Sequence, residues 1–251
     1  MALRLVAIGD STVEGLEDPD PYGNYIGWAD RFAAHLDAIH PGLLYANLAV
    51  RGQTAHEVRA TQLRPALAMA PDFAVVVAGV NDVLHPKLDR DALRDDLYAM
   101  HADLAAAGAQ VLTFTIPDMT RVAPLAVVLR RRLQFLNSVT MACRKRYGSI
   151  VVDLASVPSA SHPAMWHTDR LHANSEGHRR IAAALVETLG AEVSDWRAEP
   201  PPVPRRSRLR VAATEAAWAG SHLLPWAWES MRRQPAATAG CCKRPNLSPV
   251  T

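Results

Sequence analysis

The sequence predicts an α/β protein: a three-layer α/β/α sandwich around a five-stranded, mostly parallel sheet. Three observations carry this. Short apolar runs alternate with longer amphipathic ones five times by residue 190, the pattern of a parallel sheet with helices on both faces. The short runs carry apolar residues on consecutive positions, as in "FAVVV" (73–77), which suits strands covered on both sides. The chain has 251 residues, 49% hydrophobic and 21% charged, enough for one large α/β domain or two small ones.

The elements follow in order. "LRLVAI" (3–8) is the first strand, and residues 28–39 place Trp28, Phe32, Leu36 and Ile39 near helical spacing. "LLYANLAV" (43–50) is the second strand, and Thr54 with Glu57 forms a capping-box signature before Val58 and Leu63. "FAVVVAG" (73–79) is the third; Asp89 then caps a helix carrying Leu93, Leu97 and Leu104. "VLTFTI" (111–116) is the fourth, stopped by Pro117, and Leu125, Leu129, Leu133, Leu136 and Val139 mark a long helix after it. "IVVDL" (150–154) is the fifth, and Asn174 caps a last helix with Ile181, Leu185 and Leu189 facing inward. The body ends near residue 195. Residues 196–251 open with "EPPPVPRR" after Trp196–Ala198, too proline-rich for a helix interior. Residues 209–233 read as one or two short helices with apolar surface, including Trp218, to dock, and the final stretch reads as disordered or packed only in a complex.

In a doubly wound sheet the crevice lies beyond the carboxyl ends of the strands, so the residues just after each apolar run are the informative ones. The first run ends in Gly9-Asp10-Ser11-Thr12, the second in Arg51-Gly52-Gln53-Thr54 and the third in Gly79-Val80-Asn81-Asp82. After the fifth, "SHPAMWHTDRLHANSEGH" (161–178) holds four histidines. Gly, Asp, Ser and Thr are also ordinary turn punctuation. Ester hydrolysis needs a hydroxyl nucleophile, an imidazole to take its proton, a carboxylate to fix the imidazole tautomer, and donors aimed at the developing oxyanion. Ser11 is a candidate nucleophile. Its own N–H, that of Gly52, and the Asn81 side-chain amide are candidate oxyanion donors. Asp169 and His172, three apart, are a candidate acid–base pair; a helix-capping Asp beside a surface His reads the same way.

These blocks resemble the SGNH hydrolase superfamily, also called the GDSL-like lipase/esterase family. The resemblance rests on "GDST" (9–12), Gly52 in "NLAVRG", "GVND" (79–82) and "DRLH" (169–172), in the family's order, over about residues 1–190. It implies a flavodoxin-like sheet of SGNH type, a catalytic domain over 1–195, and a C-terminal extension over 196–251 outside the family core. It implies Ser11 as nucleophile, His172 as general base, Asp169 as its orienting acid, and Ser11, Gly52 and Asn81 as the oxyanion hole. Asp10 and Asp82 would hold their turns. Thr12 stands where the family commonly has Leu, a change in turn shape rather than chemistry. The implied reaction is serine-dependent hydrolysis of carboxylic esters, of short acyl chains by the spelling of the blocks, with an acyltransferase, lipase or thioesterase as alternatives on the same scaffold. No cofactor or metal is implied.

Unrelated readings stay open at this point. His162, His167, Asp169 and His172 crowd one loop as zinc ligands would, but that leaves Ser11, Gly52 and Asn81 unexplained. A phosphate-binding domain lacks both the Gly-x-Gly-x-x-Gly fingerprint and a Walker lysine. A non-catalytic binding domain would keep the scaffold without turnover. Residues 13–27 and 118–124 are expected to cover the site, with Tyr22, Tyr25, Met119, Met165 and Trp166 as pocket or packing residues.

Residues 196–251 carry nine Arg or Lys against three acids, so a total of +2 leaves a mildly acidic body. A solvated basic terminus accounts for this, and no nucleic-acid partner is expected. The expected partner is a small-molecule ester; the oligomeric state has no signature. Cys143, Cys241 and Cys242 make no disulfide framework. The N-terminal apolar stretch is too short for a signal-peptide core, and no run approaches the roughly 20 apolar residues of a membrane span. A cytoplasmic protein is the expectation.

Overall fold

The computed structural model describes residues 2–202, 217–218, 220–221 and 242–250. Strands β1 (Arg4–Gly9), β2 (Leu44–Asn47), β3 (Phe73–Val77), β4 (Gln110–Phe114) and β5 (Ile150–Val152) are joined in parallel. The helices are α1 (Ser11–Glu14), α2 (Gly27–Ile39), α3 (Ala55–Ala68), α4 (Val80–Leu84), α5 (Arg90–Ala106), α6 (Arg130–Tyr147) and α7 (Ser175–Glu187). No helix among the described residues is long and apolar enough to cross a membrane.

The alternation of side chains along each strand divides the core in two. Leu5, Ala7, Tyr45, Val75 and Phe114 meet α2 and α7 on one face. Val6, Ile8, Ala46, Val76 and Val111 meet α3, α5 and α6 on the other. The consecutive apolar positions of the strands thus have two separate destinations.

Among the described residues the sheet has six strands, not the five expected. β6 (Arg244–Pro249), from the stretch expected to be disordered, pairs antiparallel with β2, and the order is β5-β4-β3-β1-β2-β6. Pro245 and Pro249 weaken its strand signature, and proline is tolerated at a sheet edge. Its register breaks between Tyr45 and Asn47. Side chains fasten it: Lys243 Nζ donates to Tyr25 O (3.0 Å), Ile26 O (2.7 Å) and Asp30 Oδ2 (2.9 Å), and the Arg244 guanidinium lies 5.2 Å from the Tyr45 ring centre. The short helices expected over 209–233 fall outside the described residues except at Ala217, Trp218, Gly220 and Ser221, which are in helical turns. Cys241 also lies outside them.

A second correction concerns the long helix. It begins at Arg130; Pro124–Leu129 is a 3₁₀ turn with no buried residue. Leu125, expected to face inward, is 48% exposed, and Val128 is 78% exposed.

β1 has β2 on one side and β3 on the other. The direction of winding reverses there, so the crevice opens at the carboxyl ends of β1 and β3. Ser11 follows the first strand, and Asn81 follows the other.

Candidate active site

The turn after β1 is built by neighbours that leave it little freedom. Gly9 has φ +157°, and a Cβ there would lie 2.2 Å from Val77 O and 2.4 Å from Val13 Cγ2. Gln62, on α3, clamps the same residue: its Oε1 accepts the Gly9 N–H and its Nε2 donates to Gly9 O, both at 2.8 Å. Asp10 caps α1, its Oδ1 accepting the Thr12 N–H (3.0 Å) and the Thr12 hydroxyl (2.7 Å). Burial pushes the Asp10 carboxyl up, and the Thr12 hydrogen bonds oppose that rise. Thr12 therefore uses its hydroxyl to brace the turn, which a leucine could not do.

Ser11 is buried to 9% exposure in the first turn of α1. His172 reaches it from the loop before α7: Nε2 lies 2.8 Å from Ser11 Oγ, and Nδ1 lies 2.6 Å from Asp169 Oδ2. These partners set the tautomer. Nδ1–H donates to the carboxylate, which leaves Nε2 to accept the serine hydroxyl. Asp169 Oδ1 accepts the N–H groups of Leu171 (3.0 Å) and His172 (3.1 Å). Burial alone would raise the Asp169 carboxyl. The His172 hydrogen bond and charge, with the two backbone donors, outweigh burial and hold it down at about 2. Asp169 is thus a fixed anion that orients the imidazole.

The remaining sequence candidates lie beside this chain of bonds, not on it. Among the described residues, neither Gly52 nor Asn81 hydrogen-bonds Ser11 or His172. Asn81 Nδ2 donates to Gln53 O (2.9 Å) and to Asp10 Oδ2 (3.2 Å), which ties it to the residue preceding Ser11. Gly52 has φ +77° in the turn that carries it from Val50 to Gln53. Its neighbour Arg51 is held by the buried Glu14 carboxylate, which accepts the Arg51 N–H at 3.0 Å and pairs with its guanidinium. Asp82 accepts the Ala55 N–H at 2.9 Å, joining α4 to the start of α3, and burial raises its carboxyl to about 6.

The sequence model of the GDSL-like Lipase/Acylhydrolase family matches residues 7–180. The chain belongs to this family. An acetylxylan esterase of Geobacillus stearothermophilus is 23% identical over 208 residues, covering 75% of this chain and 94% of the relative. Among solved structures, LAE5, an alpha/beta hydrolase enzyme from the metagenome of Lake Arreo, Spain, is 22% identical with a TM-score of 0.62 over 76% of this chain and 97% of its own. A structure of an acetylxylan esterase from Geobacillus stearothermophilus is 21% identical with a TM-score of 0.64, over 77% and 95%.

This GDSL-family chain is a carboxylic-ester hydrolase with a cavity of about 670 Å³ beside His172. Apolar side chains line most of it: Phe114, Ile116, Met119, Leu133, Met165 and Ile181 among them, with Leu125 and Val128 from the exposed 3₁₀ turn. Of the expected pocket residues, Met119, Met165 and Trp166 line it; Tyr25 does not and sits against Arg51 (5.4 Å), and Tyr22 is 90% exposed. No residue of 13–27 lines the cavity, so that segment does not cover this side of the site.

The other three histidines of residues 161–178 have separate work. His162 Nδ1 accepts the Ala164 N–H (3.2 Å), and His167 Nε2 faces Glu17 Oε2 (3.3 Å). His178 accepts the Trp28 N–H at Nδ1 (3.1 Å) and donates from Nε2 to Leu16 O (2.9 Å); burial lowers it to about 4, so it stays neutral near pH 7. The four proposed zinc ligands do not converge among the described residues; the group that does come together is Glu17, His167 and Asp169, and it shares Asp169 with His172. Gln62 and Glu14 escaped the sequence reading. Both carry a signal: Gln62 interrupts the Val58–Ala66 apolar stripe at i+4 spacing, and Glu14 lies four residues after Asp10.

Proposed function

We propose that the chain hydrolyses small-molecule carboxylic esters bearing an apolar group of medium length, with Ser11 as nucleophile. The observation that carries this is the Asp169–His172–Ser11 chain of hydrogen bonds beside an apolar cavity of about 670 Å³, room for more than an acetyl group. Ser11 Oγ attacks the ester carbonyl as His172 Nε2 takes its proton. The carbon–oxygen bond to the alcohol breaks as His172 returns that proton to the leaving oxygen. Water then attacks the acyl-enzyme by the same route and releases the acid. Catalysis belongs to residues 1–195 in this reading, and the cytoplasm is the compartment that the cysteine usage favours.

The oxyanion is assigned to the N–H groups of Ser11 and Gly52 and to the Asn81 amide. Asn81 would trade its longer bond, that to Asp10 Oδ2, for the developing charge. Asn81→Ala is expected to lower kcat about 100-fold or more with the protein still folded by circular dichroism. A loss under tenfold would remove Asn81 from the oxyanion hole.

The acetylxylan esterase relative favours a second reading, an acetyl ester of a small polar alcohol. Hydrolysis of p-nitrophenyl esters from acetyl to palmitoyl separates the two. A maximum of kcat/KM at medium chain length is expected; a monotonic fall from acetyl would support the second reading and leave the apolar cavity without a substrate role.

A further inference from the structure

We infer that Trp218 is a positioning residue for the Asp169–His172 loop and a wall of the substrate cavity that sets which apolar groups are accepted. Trp218 lies beyond residues 7–180, which match the family, so the family blocks do not call for it. The inference rests on the esterase reading above.

The loop that carries the acid and the base is tightly turned. His172 O accepts the His167 N–H (2.9 Å), and His167 O accepts the Arg170 N–H (3.0 Å). Arg170, between acid and base, has φ +59°, a left-handed conformation that a non-glycine residue keeps only where its surroundings fix it. Trp218 supplies part of that fixing. Its Nε1–H donates to Asp169 O at 3.0 Å, and the Arg170 guanidinium lies 4.9 Å from its ring centre. The accepting carbonyl belongs to the peptide between Asp169 and Arg170. Holding it constrains ψ of Asp169 and φ of Arg170, the torsions next to the carboxylate that aims His172. The indole also lines the cavity, together with Ser221, Leu171 and Met165. One side chain therefore serves two purposes that substitution can separate: the N–H steadies the loop, and the ring bounds the space for the ester's apolar group.

The test uses the full chain and p-nitrophenyl acetate and decanoate. Trp218→Phe keeps a ring and removes the N–H; kcat for both esters is expected to fall about fivefold, the effect of one lost hydrogen bond, with KM unchanged. Trp218→Ala removes both; KM for decanoate is expected to rise about tenfold through lost apolar contact, with KM for acetate unchanged. The phenylalanine variant should therefore rescue chain-length selectivity but not turnover. Parental kcat in Trp218→Phe overturns the positioning role. An equal change for both esters in Trp218→Ala, as a general loss of structure would give, overturns the wall. Calorimetric binding of the free decanoate ion, which has no ester bond to cleave, to the parent and to Trp218→Ala reads the wall without turnover: about tenfold weaker binding is expected, and equal affinity overturns it. Ser11→Ala on the otherwise unchanged chain judges the esterase reading itself, so the two failures are distinguishable.

Discussion

Ser11→Ala is expected to lower kcat/KM for p-nitrophenyl esters by about 10,000-fold or more while leaving the melting temperature within a few degrees of the parent. The hydroxyl makes one described hydrogen bond, to His172 Nε2. The backbone of the turn is held instead by hydrogen bonds with Asp10 and Gln62 and by the pairing of Gly9 with Val77, none of which uses Oγ. Removing the hydroxyl thus deletes the nucleophile and leaves its platform standing. His172 stays oriented, because its other nitrogen remains bonded to a carboxylate held at about 2. Ester turnover and a thermal melt on the same preparation check both halves. Activity within tenfold of the parent, in a folded variant, would place the nucleophile elsewhere.

Gly9→Ala is expected to destabilise the fold by about 3–5 kcal/mol, a fall in melting temperature of about 10 °C for a chain of this size. The cause is local and has no easy relief. The new methyl group would meet the carbonyl oxygen of Val77, in the neighbouring strand, at 2.2 Å and the Val13 side chain at 2.4 Å. Backbone oxygen in a central pair of strands cannot move aside as a flexible side chain can. The N–H and C=O of Gly9 are also fixed by Gln62, so a shift of the turn would break buried hydrogen bonds as well. Differential scanning calorimetry measures the effect, and a melting temperature within 2 °C of the parent would show that the turn relaxes more freely than its packing implies.

Much of this architecture was legible because its signals are local. The capping box of Thr54 and Glu57 forms with both hydrogen bonds, and Asp89 and Asn174 cap α5 and α7. Each such cap satisfies donors within one turn, so its signal is written in neighbouring residues. The strand ends were legible for a related reason: Ser11, Gly52 and Asn81 each follow an apolar run, and the sheet order gathers those ends. What failed depends on tertiary partners. The spacing of Leu125 with Leu129 and Leu133 continues a helical stripe, but Pro124 favours a fresh start and the cavity mouth takes the place of a packing surface. β6 reads as coil because its pairing comes from β2, some 200 residues earlier in the chain. Four histidines in one stretch suggested metal ligands, while three of them serve a local cap, a carboxylate and a helix junction.

The edge strand bears on how this protein can be divided. Among the described residues, the outer strands of the sheet are β6, interrupted by two prolines, and β5, only three residues long. Neither offers a long template for another chain. A chain cut before β6 would keep Ser11, Asp169 and His172, yet it would bare the outer N–H and C=O groups of β2 and take the Arg244 guanidinium away from the ring of Tyr45. Exposed strand edges of that kind recruit copies of themselves. The hydrogen-bonded Asp169, His172 and Ser11 thus lie within the first 180 residues, while the strand that covers the edge of β2 is supplied by the far end of the sequence.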